Sequence, residues 1–119
     1  FLTRVDHPEW YGVVDVDDDN NVLNIIEKPK NPKTNLIAVG VYMYDNSVWP
    51  LIAGLKPSQR NELEITDLNK EYLKRGKLKA TLLDGQWMDC GESLEGYHQA
   101  QIAVANMEKR RRANAEIST

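Results

Sequence analysis

Two β-branched runs, residues 11–16 and 22–27, are separated only by Asp17-Asp-Asp-Asn-Asn21, and this spacing constrains the fold more than any other feature. Short Asp and Asn side chains bond their own backbone, and Asn tolerates positive φ, so the pattern predicts a β-hairpin with an acidic tip. A calcium loop does not fit, because the tip has neither the glycine nor the distant bidentate glutamate that such a loop needs. Pro29 and Pro32 lack the amide donor that a central strand requires, so the second strand must stop at Glu27 and leave Glu27 and Lys28 at its end. Residues 36–44 form a nearly unbroken apolar run, expected as a strand covered on both faces inside a mixed sheet and as the centre of the core.

The second half reads as more helical. Asp45-Asn-Ser47 precedes a short helix over 48–55, confined by Pro50 and Gly54, and residues 56–61 form a loop. Residues 62–75 carry Leu63, Ile65, Leu68, Tyr72 and Leu73 on one broad face, acids in the first turn, Lys74 and Arg75 in the last and Gly76 beyond. That order of charge and cap suits a helix dipole. Strands are expected over 78–84 and 86–89, the second ending at the Asp89-Cys90-Gly91 bend and placing Asp89 at a strand end. Helical spacing returns over 93–112 through Leu94, Tyr97, Ala100, Val104 and Met107, ahead of a polar tail. The expected organisation is α/β: one portion of a domain over residues 1–112 and a frayed tail over 113–119, with no linker or internal repeat.

Charge and composition narrow the function. A chain of 119 residues with 41% hydrophobic content builds one modest core. A net charge of −3 supplies no basic field that could track nucleic acid, so any phosphate bound must be small and held by a few placed cations. The single cysteine, Cys90, excludes an internal disulfide framework, and its simplest role is a small buried side chain. No apolar run approaches the ~20 residues that span a bilayer, which predicts a cytoplasmic protein without a membrane partner. The chain starts at Phe1 rather than at a methionine, which predicts that it begins inside a longer gene product or is missing its beginning.

Five segments carry a resemblance. They are Val5-Asp6 with Pro8 and Tyr11-Gly12-Val-Val14, then Glu27-Lys28-Pro29, Ala38-Val39-Gly40, the stretch Arg60-Asn-Glu-Leu-Glu-Ile-Thr-Asp67, and Trp87-Met-Asp-Cys-Gly91. In this order and spacing, over residues 5–108, the chain resembles the sugar-1-phosphate nucleotidyltransferases, most closely the glucose-1-phosphate thymidylyltransferases. Those enzymes hold the nucleoside triphosphate with a Gly-x-Gly-x-Arg-Leu loop, and that pattern does not occur in these 119 residues. The resemblance thus implies the C-terminal, sugar-phosphate-binding part of a Rossmann-like nucleotide-diphospho-sugar transferase fold, without its nucleotide-binding half.

It also implies roles. Tyr11 and Gly12 would lie against the sugar ring, where a missing Cβ allows close approach, although glycine in a strand is as often a bulge. Glu27 would accept sugar hydroxyls and Lys28 would donate to the phosphate, though an isolated Glu-Lys pair is usually solvated surface. Ala38 would line the pocket floor, a place equally natural for a core strand. Arg60 would grip phosphate oxygens with its planar fork, from a loop just before a helix N-terminus. Asp89 would hold Mg²⁺ on the reacting phosphates, or would simply cap the following helix. Lys28, Arg60 and Asp89 are the expected catalytic set for attack of a sugar 1-phosphate on the α-phosphorus of dTTP, giving a dTDP-sugar and pyrophosphate. Nucleoside triphosphate would bind only together with the missing half, so the chain alone is expected to be inactive. The alternatives are a noncatalytic sugar-phosphate-binding or regulatory module, and a self-associating assembly domain, since a truncated sheet hides its edge and apolar faces by forming a homo-oligomer.

Overall fold

A computed structural model describes residues 1–91 and 93–117, with side chains through Ala115. They fall into two compact units, Phe1–Asp84 and Gly85–Thr119, although the sequence carries no linker between them.

The first unit is built on strands β1 (Leu2–Arg4), β2 (Gly12–Val16), β3 (Val22–Glu27) and β4 (Leu36–Ala38), in the order β1-β4-β2-β3. All three pairings are antiparallel, and a parallel bridge from Leu2 to Leu82 adds the opposite sense at one edge. The expected hairpin forms, with Gly12 opposite Glu27 and Val14 opposite Ile25, and a register shift falls between Asp15 and Val16. At its tip the Asp17 carboxylate accepts the amides of Asp19 at 3.0 Å and Asn21 at 2.7 Å, while Asn20 takes the positive φ of 61°. Residues opposite one another point to the same side of a sheet. One face therefore presents Gly12, Val14, Ile25, Glu27, Leu36, Ala38 and Leu2, and the apolar members of this set form the first core cluster with Val22.

Helix α1 (Val48–Gly54) and helix α2 (Ile65–Lys74) supply a second cluster of Val48, Leu51, Leu68 and Tyr72. Gly76, at φ 65°, stops α2 while Gly76 and Lys77 return their amides to Leu73 and Tyr72. Positive φ is what such a helix end requires.

Several expected elements differ. The strand expected over 36–44 ends at Ala38: Leu36, Ile37 and Val39 are buried, but Val41 and Met43 are exposed. Ladder pairing stops at Ala38 with β1 and at Ile37 with β2, and past the Val39 amide on the Phe1 carbonyl the chain has no ladder to join. Residues 78–84 keep only the Leu82 bridge, and residues 86–89 form no strand. Helix α2 begins at Ile65 rather than 62, because Glu64 is still extended at ψ 131°.

In the second unit α3 (Leu94–Ile117) continues past Arg112, carried by the helix formers Ala113, Ala115 and Glu116. Of its apolar stripe Ala100 is buried, while Leu94, Tyr97, Val104 and Met107 are exposed.

Candidate functional site

Glu27 ends β3 on the core-side face, where Gly12 is its partner across the hairpin. Helix α2 packs against β3 and brings Thr66, fully buried in its first turn, to the same point. The Thr66 hydroxyl donates to Glu27 Oε2 at 2.5 Å. A Cβ on Gly12 would stand 3.0 Å from that hydroxyl oxygen and 3.4 Å from Glu27 Oε2, so the glycine is what leaves room for the contact. The Glu27 carboxylate is thereby aimed while remaining about one-fifth exposed, enough to accept a ligand donor.

Residues 58–64 carry the cation. The Ser58 amide donates to the Glu62 carbonyl at 2.8 Å, the Asn61 amide donates to the Ser58 carbonyl at 2.9 Å, and Asn61 holds φ 59°. This tight loop turns the Arg60 guanidinium onto three carboxylates. Nη2 lies 2.8 Å from Glu62, and Nη1 lies 3.6 Å from Glu64 and 3.8 Å from Glu27. Glu64 is buried and takes the Ser58 hydroxyl at 2.8 Å, so a planar donor sits over a fixed acidic floor. Tyr42 stands nearby: burial first, and the Glu27 negative charge second, hold its phenol above the ordinary tyrosine value.

The sequence-predicted residues divide accordingly. Gly12, Glu27 and Arg60 come together. Tyr11 precedes Gly12, and its carbonyl accepts the Lys28 amide at 3.0 Å. Lys28 follows Glu27 directly, exposed and held at φ 41°, a conformation that non-glycine residues adopt at a cost of order 1–3 kcal/mol and that clusters at ligand sites. Ala38 shares the face of Glu27 and lines a pocket of about 640 Å³ with Val14, Ile25, Tyr42, Tyr44 and Tyr72. Asp89 belongs to the second unit, in irregular chain rather than at a strand end. Its Oδ1 accepts the Gly91 amide at 2.9 Å. Among the described residues no three His, Cys, Asp or Glu side chains converge as a metal site. Cys90 is exposed, contrary to the expected buried role, because it lies on the bend after Asp89.

Sequence reasoning missed Glu64, Thr66 and Tyr42. Glu64 and Thr66 read as ordinary first-turn residues of a helix, yet the period-two alternation of Glu62-Leu63-Glu64-Ile65 was a signal that the chain is still extended there.

Residues 1–107 match the Nucleotidyl transferase family. The chain is 41% identical over 110 residues to a glucose-1-phosphate thymidylyltransferase of Neisseria gonorrhoeae, covering 91% of this chain and 38% of the relative. It is 44% identical over 91 residues to the bifunctional protein GlmU of Methanococcus aeolicus, covering 76% and 22% respectively. A crystal structure from Bacillus anthracis, assigned as a glucose-1-phosphate thymidylyltransferase and holding sucrose, superposes with a TM-score of 0.77 at 42% identity, over 86% of this chain and 41% of that one. A UDP-glucose pyrophosphorylase complexed with UDP-glucose gives 0.78 at 27% identity, over 89% and 43%. The chain thus spans less than half the length of each of these four relatives. Its α/β architecture is part of the Rossmann-like nucleotide-diphospho-sugar transferase fold of these neighbours, and the chain belongs to the nucleotidyl transferase family.

Proposed function

We propose that this chain carries the sugar 1-phosphate site of a nucleotidyltransferase whose whole reaction joins glucose 1-phosphate to thymidine triphosphate, giving dTDP-glucose and pyrophosphate. The observation that carries the reading is the convergence of Glu27, an aimed acceptor, with Arg60, a planar donor, over Gly12, whose missing Cβ lets the Thr66 hydroxyl meet Glu27. Glu27 accepts sugar hydroxyls, Arg60 takes two phosphate oxygens, and Lys28 adds a compact cation at the strand end. The two structural neighbours are complexed with sucrose and with UDP-glucose, which supports a saccharide-containing ligand for a protein of this fold.

Phosphoryl transfer of this kind needs alignment and neutralisation of crowded charge more than covalent help. Asp89 would supply one carboxylate to Mg²⁺ and the nucleotide-binding half a second aspartate, a donor set that suits an ion completed by water and phosphate oxygens. The metal would supply charge neutralisation on the reacting phosphates. The 119 residues contain no Gly-x-Gly-x-Arg-Leu loop, so the proposal includes binding of sugar phosphate without turnover by this chain alone. A cytoplasmic setting and self-association through exposed apolar side chains, such as Met43 and Leu94, belong to the same reading.

The test is calorimetric titration with glucose 1-phosphate, run beside magnesium-dependent pyrophosphate release with thymidine triphosphate. Saturable binding that Arg60→Ala and Glu27→Ala each weaken about tenfold or more, with no pyrophosphate formed, is expected, since bonds to charged groups are worth ~1.5–3 kcal/mol. Binding indifferent to both substitutions would sink the site. Turnover at an ordinary enzymatic rate, roughly 1–1,000 s⁻¹, would sink the claim that the chain alone is inactive.

A further inference from the structure

The three carboxylates around Arg60 are not equivalent. Glu27 is tied by the Thr66 hydroxyl and Glu64 by the Ser58 hydroxyl, and both are largely covered. Glu62 makes the shortest ion pair of the three, 2.8 Å from Nη2, and its side chain is 57% exposed. It reaches Arg60 because the loop folds back on itself, through the Ser58 amide on the Glu62 carbonyl and the positive φ at Asn61. One edge of the guanidinium therefore rests on anchored groups, and the other rests on a group that solvent can reach.

We propose that Glu62 is an internal stand-in for the phosphate of the ligand: its carboxylate occupies the Arg60 donor that a phosphate oxygen takes, and must swing out when sugar phosphate binds. This rests on the sugar-phosphate reading above and adds to it a residue that sets affinity. Glu64 and Glu27 keep the guanidinium in place when Glu62 leaves, so the arginine is held ready without being blocked by a fixed partner. A carboxylate that competes for the donor also raises the threshold for other anions, because a weakly charged one gains less from Arg60 than it must displace.

The experiment is a set of glucose 1-phosphate titrations of the 119-residue chain, with inorganic phosphate as a second probe, on wild type, Glu62→Gln, Arg60→Ala and the double variant. Exposed ion pairs are worth little, so Glu62→Gln should tighten binding only about two- to five-fold. Glu62→Ala should act in the same direction, and the gain should vanish when Arg60 is alanine. No gain in the glutamate variants, with Arg60→Ala still weakening binding, would overturn the stand-in and leave the sugar-phosphate site standing. A gain that persists without Arg60 would also overturn it, since that outcome marks a general field effect. Indifference to Arg60→Ala would bring down the site and the stand-in together.

Discussion

Gly12 decides how closely the Thr66 hydroxyl and the Glu27 carboxylate can meet. A methyl group there would stand 3.0 Å from Thr66 Oγ1, tighter than ordinary contact, and the Thr66 side chain or α2 must draw back slightly from β2 to admit it. Gly12→Ala should therefore cost roughly 1–3 kcal/mol, the usual range for overpacking, and should weaken glucose 1-phosphate binding along with stability. Thermal unfolding and calorimetry on the same variant check both halves; unchanged melting would mean that the neighbours yield freely. Gly12, Glu27 and Arg60 were legible in the sequence because each sits in a short motif whose residue type matches a chemical task. Thr66 and Glu64 were not, because the alternation at 62–65 signals extended chain but does not name its partners, and their part depends on contacts with Glu27 and Ser58, 39 and 6 residues away.

Among the elements, the hairpin and the body of α2 were legible from period-two and 3.6-residue spacing, since each is stabilised by its own near neighbours. β4 was over-read: a run of apolar residues reports burial, but strand extent depends on partners, and β1 and β2 stop pairing at Ala38 and Ile37. The loop 58–64 depends on a different kind of residue. Asn61 sits at φ 59°, which Asn and Gly tolerate and Ala does not. Asn61→Ala should lower stability by about 1 kcal/mol and loosen Arg60, whereas Asn61→Gly should be near neutral in thermal melts. Equal melting temperatures for the two variants would show that the backbone there is not what shapes the loop.

At the scale of the whole molecule, titrating side chains bound the range of stability. Hydrogen bonds from Asn21 and from Ser47 hold the Asp17 and Asp45 carboxyls below their ordinary values. Their folded pKa lies below the unfolded one, so their stabilisation is present above about pH 4 and is lost as pH falls through the folded values. The Tyr44 phenol moves the other way, pushed up to about 12 by burial and then by Tyr42 and Tyr72. Its contribution is complete below about pH 10 and is lost as pH rises toward 12. Melting temperature against pH should show a plateau with a fall at each end, and Tyr44→Phe should flatten the alkaline limb. An alkaline limb of unchanged slope in that variant would refute the assignment to Tyr44. The register shift at Asp15 and Val16 lies between the acidic tip and the pairing of Gly12 with Glu27. A bulge absorbs an odd residue locally, so insertions or deletions in the tip can be taken up beyond it without turning Glu27 to the other face. The loop at 17–21 should thus accept a changed length or chemistry without moving the pairing of Gly12 with Glu27, on which the proposed ligand site rests.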